Sequence, residues 1–222
     1  MRRARPRRRE PAMTTALDTA LRLIVILDTE AAGGRDLTAL AAAAARGGAT
    51  MFQVRAKRIG ARDFADLVRR VLAGAGGVPV TVNDRLDVAL AAGAAGCHLG
   101  QDDLPLDVAR LMVPPGFLLG GSAGTPEEAR RAAVQRPDYL GVGPIAVSPT
   151  KADAGAAIGW AGFRGVHAAA PQLPAVGIGG IDAALAAQAY GAGAAGVAVI
   201  SAVLGAADPE AAARAIRAAL GP

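Results

Sequence analysis

The sequence predicts a (β/α)8 TIM barrel, a closed ring of eight parallel strands each followed by a helix. Three observations carry this expectation. From about residue 22 onward, eight short apolar runs alternate with amphipathic stretches, with no long insertion. The chain has 222 residues, near the ~250 of one such barrel and enough for a single core. A glycine-rich turn, Gly177-Ile178-Gly179-Gly180, ends the seventh run, where barrels of this type often bind phosphate. A doubly wound open sheet also alternates strand and helix and is the rival fold. The count of eight favours the closed ring.

The strands are expected at 21–27, 50–54, 79–82, 95–99, 117–121, 139–142, 174–178 and 196–200, each a compact apolar run. Between them fall helices. Leu37 to Arg46 is rich in alanine, the best helix former. Phe64, Leu67, Val68, Val71 and Leu72 recur at i, i+3, i+4, i+7 and i+8, one apolar face of a helical period. Further helices are expected around 86–92 and 106–112. Thr125, Pro126 and Glu128 form a helix start, with an N-cap, a proline in the first turn and a glutamate placed to reach back. Helices then follow around 160–169, after Asp182 as a cap, and from Asp208-Pro209 to Leu220.

Charge and composition narrow the function. Arg2, Arg3, Arg5, Arg7, Arg8 and Arg9 against Glu10 account for the whole formal net charge of +5. The remaining body is near neutral, which argues against nucleic acid as a partner. Residues 1–13 are expected to be a basic, disordered tail, with Met13 as an alternative start, and 14–222 to be the catalytic barrel. No apolar run approaches the roughly 20 residues of a membrane span, and no apolar segment of a secretory signal follows the basic stretch. The single cysteine, Cys97, excludes a disulfide framework and fits a reducing cytoplasm. Its place inside a strand suits a small buried hydrophobe.

The residues that carry chemistry gather at the C-terminal ends of the strands. Gln53, Arg55 and Lys57 alternate at the end of the second, so period two points all three into the barrel mouth. Two cations there call for an anionic partner. Asn83-Asp84 ends the third strand and Gln101-Asp102-Asp103 follows the fourth. Carboxylates on neighbouring strand ends beside cations suit Mg²⁺, which takes one or two carboxylates plus phosphate oxygens. Asp102 reads better as a turn residue, Asp87 as helix surface, and His98 as barrel interior. His167, late in a helix, suits the dipole there. Ser122 ends the fifth strand, and Ser148, Thr150 and Lys151 follow the sixth. Gly180 with Ile200 and Ser201 marks the loops after strands seven and eight, suited to phosphate through backbone N–H groups.

The chain resembles the thiamine-phosphate synthase family over roughly residues 20–220. The resemblance rests on Gln53-Val54-Arg55-Ala56-Lys57, Val82-Asn83-Asp84, His98-Leu99-Gly100-Gln101-Asp102-Asp103, Gly141-Val142-Gly143-Pro144-Ile145 with Thr150-Lys151, Val176 through Ile181, and Gly196 through Ser201, in that order. It implies an Mg²⁺-assisted transferase that joins an aminopyrimidine carrying a methylene diphosphate to a thiazole phosphate, releasing pyrophosphate. It further implies Asp84 and Asp103 as Mg²⁺ ligands. Arg55, Lys57 and Lys151 would hold the diphosphate, and Gln53, Asn83 and Ser122 would line the same pyrimidine site. Ser148, Pro149, Thr150, Gly180, Ile200 and Ser201 would hold the thiazole phosphate. The chain departs from the family pattern at Ala146 and Val147, where an aromatic residue and a proline are usual. It departs also at Gly124, where histidine is common, and at Ala56, where an acid is usual.

Rival readings are a thiazole tautomerase on the same barrel, a non-catalytic phosphate-ligand binding barrel, and a phosphate-binding barrel enzyme of tryptophan biosynthesis. Gly124 stands where the tautomerase would carry its candidate histidine, and the diphosphate set argues against that reading too. The partners expected are small phosphorylated molecules, without nucleic acid or membrane. The sequence leaves a homo-oligomer open.

Overall fold

Short strands rich in valine, isoleucine and leucine, all buried on both faces, can close only with a layer of helices outside them. Residues 11–147 and 155–221 are described by the computed structural model, and they form that arrangement. The strands are β1 (Leu23–Asp28), β2 (Met51–Arg55), β3 (Val80–Asn83), β4 (Gly96–Leu99), β5 (Leu118–Ala123), β6 (Tyr139–Val142), β7 (Ala175–Ile178) and β8 (Gly196–Val199). They pair in parallel in chain order and β8 closes onto β1, giving the predicted closed barrel.

The helices in chain order are α1 (Pro11–Leu21), α2 (Leu37–Arg46), α3 (Ala61–Gly74), α4 (Leu86–Ala92), α5 (Leu106–Met112), α6 (Pro126–Val134), α7 (Gly159–Ala168), α8 (Ala183–Ala186), α9 (Ser201–Leu204) and α10 (Pro209–Ala219). Their starts follow the cap chemistry. Asp182 accepts from the N–H of Leu185 at 2.9 Å and Asp208 from that of Ala211 at 3.0 Å. Thr125 Oγ1 accepts from the N–H of Glu128 at 3.2 Å, and Glu128 Oε2 accepts from that of Thr125 at 3.3 Å, closing the capping box. On α3 the buried positions are Phe64, Ala65, Val68 and Val71, so the apolar stripe faces the barrel. Cys97 is buried and burial pushes its thiol pKa up, consistent with a packing role.

Two elements lie outside the expected pattern. α1 begins at Pro11, inside the stretch read as tail, while residues 1–10 lie outside the described residues. Leu17 and Leu21, one helical turn apart, join Ile24, Ile26, Met51, Tyr139, Val176 and Ala198 in a cluster separate from the larger core between strands and helices. These strand residues share the inward parity, so α1 contributes to the barrel's interior core. The second is α9, a single turn directly after β8, with Ile200 at its N-cap position.

Candidate active site

Period two along each strand selects what enters the barrel mouth. On β1 the inward residues are Ile24, Ile26 and Asp28; on β2 they are Met51, Gln53 and Arg55, with Lys57 next. The β1–β2 register sets Ile26 opposite Gln53 and Asp28 opposite Arg55. Across β3 to β5 the same parity gives Asn83, His98 and Ser122. These side chains apart from Asp28 and Met51, together with Asp84, Gly100, Tyr139, Gly141, Val176, Ile178, Ala198 and Ile200, line a cavity of about 120 Å³. Gln53, Arg55, Lys57, Asn83, Asp84, Ser122 and Ile200 are therefore brought together as the sequence predicts.

Asp84 holds an unusual backbone. Its φ is 65°, in the left-handed region that aspartate tolerates better than most residues. Its N–H donates to the carbonyl of His98 at 2.9 Å, which ties the turn to β4. The carboxyl lies close to that of Asp103. Burial, then the charge of Asp103 and a hydrogen bond with it, push the Asp84 pKa from 3.8 up to about 6, while Lys57 and Arg55 pull it back. Asp103 Oδ2 accepts from the N–H of Gly100 at 2.6 Å, which fixes its orientation. Two adjacent carboxyls that resist sharing full charge would both be favoured in their ionised form by a cation between them. A divalent ion that takes one or two carboxylates and completes its shell with water and phosphate fits this pair. Among the described residues there is no cluster of three or more His, Cys, Asp or Glu side chains placed to hold a metal. Asp102 is exposed, as a turn residue would be, and Asp87 pairs with Arg85 on the surface.

A chain of polar groups runs across the cavity wall. His98 Nδ1 lies 3.2 Å from the Tyr139 hydroxyl, and Nε2 lies 3.0 Å from Ser122 Oγ. Tyr139 is buried, and burial raises its pKa, so its hydroxyl keeps its proton. Gly120 makes this possible: a Cβ there would fall 2.5 Å from the Tyr139 hydroxyl oxygen. Tyr139 and Asp28 join the site beyond the residues expected from the sequence. Both follow from extending the period-two rule from β2 to β6 and β1. Asp28 is 2% exposed, forms an ion pair with Arg55 and accepts hydrogen bonds from the N–H groups of Glu30 and Ala31.

The opposite rim is built from backbone. Gly179 and Gly180 have φ of 99° and 63° after β7. A Cβ on Gly180 would lie 2.7 Å from the carbonyl oxygen of Val147 and 2.8 Å from that of Ala146. The N–H of Ile145 donates to the carbonyl of Ile178 at 2.8 Å, and that of Ala146 to the carbonyl of Gly179 at 2.9 Å. Ile158 N–H donates to Pro144 O at 2.8 Å, so both flanks of 148–154 are tied to this rim. Ser148, Pro149, Thr150 and Lys151 lie outside the described residues. Ser201 is exposed at the start of α9, in the position where such barrels place a short extra helix beside a phosphate. Gly124, at the end of β5, donates its N–H to Glu128 Oε2 at 2.6 Å.

Fold and site together define a (β/α)8 barrel whose mouth joins cations and paired carboxylates on one side to glycine turns on the other, the equipment of a phosphate-handling barrel. The family model for thiamine monophosphate synthase matches residues 23–203, and the chain belongs to that family. A thiamine-phosphate synthase of Moorella thermoacetica is 50% identical over 197 residues, 88% of this chain and 93% of the relative. One from Methanoculleus marisnigri is 48% identical over 198 residues, again 88% and 93%. Among solved structures, a thiamine phosphate pyrophosphorylase from Pyrococcus furiosus superposes with a TM-score of 0.82 at 34% identity, covering 92% of this chain and 97% of that one.

Proposed function

We propose that the chain is a transferase of thiamine biosynthesis: it joins an aminopyrimidine methylene diphosphate to a thiazole phosphate, releasing thiamine phosphate and pyrophosphate. Membership of the family and the 50% identity to a named synthase support this reaction. The observation that carries the site reading is the convergence of Arg55, Lys57, Asp84, Asn83, Gln53 and Ser122 on one cavity.

Arg55 and Lys57, joined by Lys151, hold the diphosphate. Asp84 and Asp103 would hold Mg²⁺, which would supply positive charge where negative charge grows on the departing pyrophosphate. Arg55, held by Asp28, and Lys57 add to that stabilisation from the edge of the cavity. Gln53, buried at 4% exposure, with Asn83 and Ser122 orients the pyrimidine. The bond from the methylene carbon to the diphosphate oxygen breaks and its electron pair leaves with pyrophosphate. The electron-rich aminopyrimidine bears the cation so formed, and the thiazole nitrogen supplies the pair for the new carbon–nitrogen bond. Ser148, Pro149, Thr150, Gly180, Ile200 and Ser201 anchor the thiazole phosphate, which converts the second encounter into an oriented one. The nitrogen that attacks carries no proton, so the step needs no general base.

We place this activity in the cytoplasm. A lone buried cysteine supports that placement, and among the described residues no helix is long and apolar enough to cross a membrane. Purified protein with both substrates and Mg²⁺ is expected to release pyrophosphate, and Asp84→Asn and Lys151→Ala are expected to abolish the release. Binding of either substrate without turnover would instead favour a binding protein.

A further inference from the structure

Asp28 ends β1 beside the charged rim, and neither the cation nor the substrate contacts proposed above employ it. A carboxylate buried to 2% exposure persists only when paired and hydrogen-bonded. Asp28 meets both conditions, one oxygen each. Oδ1 accepts from the N–H of Glu30 at 2.9 Å and of Ala31 at 2.8 Å, which fixes the turn after β1. Oδ2 pairs with Nη1 of Arg55. The strands set this meeting: the two residues are register partners, and the N–H of Thr29 donates to the carbonyl of Arg55 at 3.0 Å. Arg55 is thus held at its far end, with its side chain only 12% exposed, while still lining the cavity.

We infer that Asp28 is a positioning residue that presents Arg55 to the diphosphate; the inference rests on the reading that Arg55 binds that group. Arginine offers five N–H donors in a rigid fork. Asp28 engages one nitrogen, which orients the plane and leaves the others for the anion. A guanidinium already held loses less rotamer freedom when the ligand arrives, so affinity rises through preorganisation. The carboxylate also offsets one of the two neighbouring cations, Arg55 and Lys57, before the anion binds. Asp28 touches no reacting atom.

The alternative role, stapling the turn alone, is separable by Asp28→Asn. The amide oxygen still accepts from Glu30 and Ala31, but the charge facing Arg55 is gone. The measurement is calorimetric binding of pyrophosphate in the presence of Mg²⁺ to wild type, Asp28→Asn, Arg55→Ala and the double variant, with KM for each substrate alongside. Asp28→Asn leaves the Arg55 guanidinium without its carboxylate, so it is expected to melt below wild type and to bind pyrophosphate about tenfold more weakly at a temperature where it is folded. KM for the pyrimidine diphosphate should rise similarly, and KM for the thiazole phosphate should stay within about twofold of wild type. In the Arg55→Ala background the Asp28 change should have no further effect, because it acts through that side chain. Arg55→Lys serves where Asp28→Asn does not fold. It keeps the charge but not the fork, and is expected to bind about tenfold more weakly; wild-type affinity there would overturn the inference. Asp28→Asn binding like wild type while Arg55→Ala is impaired would also overturn it, as would losses that multiply in the double variant. Wild-type affinity in Arg55→Ala would instead sink the diphosphate reading itself, and the inference with it.

Discussion

The two halves of the barrel mouth are made differently. From β1 to β5 the rim is built from side chains: Asp28, Arg55, Lys57, Asn83, Asp84 and Ser122, most of them tied to a neighbour. From β6 to β8 the described part of the rim is built from backbone: Gly179 and Gly180 turn with positive φ beneath the carbonyls of Ala146 and Val147, and α9 starts at Ser201. The difference matches the two anions of the proposed reaction. A diphosphate that must depart needs mobile-proof positive charge and a cation, which side chains supply. A monophosphate that serves only as a handle needs directed N–H groups, which glycine turns and a helix start supply without net charge. One pocket can then hold two phosphorylated substrates in a single orientation.

The largest expected effect lies on the charged rim. Lys57→Ala should lower kcat for pyrophosphate release by about 10²–10³-fold, the magnitude of losing one preorganised donor to developing negative charge, while the exposed position leaves the melting temperature unchanged. Equal activity would show that the diphosphate leaves elsewhere. On the glycine rim, Gly180→Ala places a methyl against two carbonyl oxygens and strains a φ of 63°. It should raise KM for the thiazole phosphate by about tenfold and leave that for the pyrimidine diphosphate near wild type.

A smaller effect sharpens the contrast by pH. The Asp84 carboxyl titrates near 6 in the folded chain and at 3.8 when unperturbed. A raised folded value means the native state holds the proton more tightly, so the stability this group contributes is full below about 4 and is lost as pH rises through about 6. Thermal melts of metal-free protein should therefore fall across that window, and Asp84→Asn should flatten the fall. The smallest effect is a control between the rims: Thr125→Ala removes the cap of α6 and should cost about 1 kcal/mol of stability without moving either KM, as read by denaturant titration and initial rates.

The parts visible in the sequence are those set by local periodicity. α2, α4, α5 and β6 fall where the apolar pattern puts them, and the capping box at Thr125 is readable from four residues. Gln53, Arg55 and Lys57 converge because a strand has period two. What the sequence hides is pairing between strands. Asp28 looks like the end of an apolar run until β1 lies beside β2 and sets it against Arg55. Tyr139 looks like ordinary core until Gly120, on the neighbouring strand, leaves room for its hydroxyl to reach His98. α1 was invisible for another reason: a short alanine- and threonine-containing stretch has weak periodicity, and only the inner cluster around Leu17 and Leu21 shows what it packs against.

The division of labour between the rims is tested most directly by equilibrium binding of the pyrimidine diphosphate and the thiazole phosphate, each measured separately with Lys57→Ala and Gly180→Ala. A crossed result is predicted: Lys57→Ala weakens the diphosphate and spares the thiazole phosphate, and Gly180→Ala does the reverse. Loss of both ligands to the same extent in either variant would contradict it.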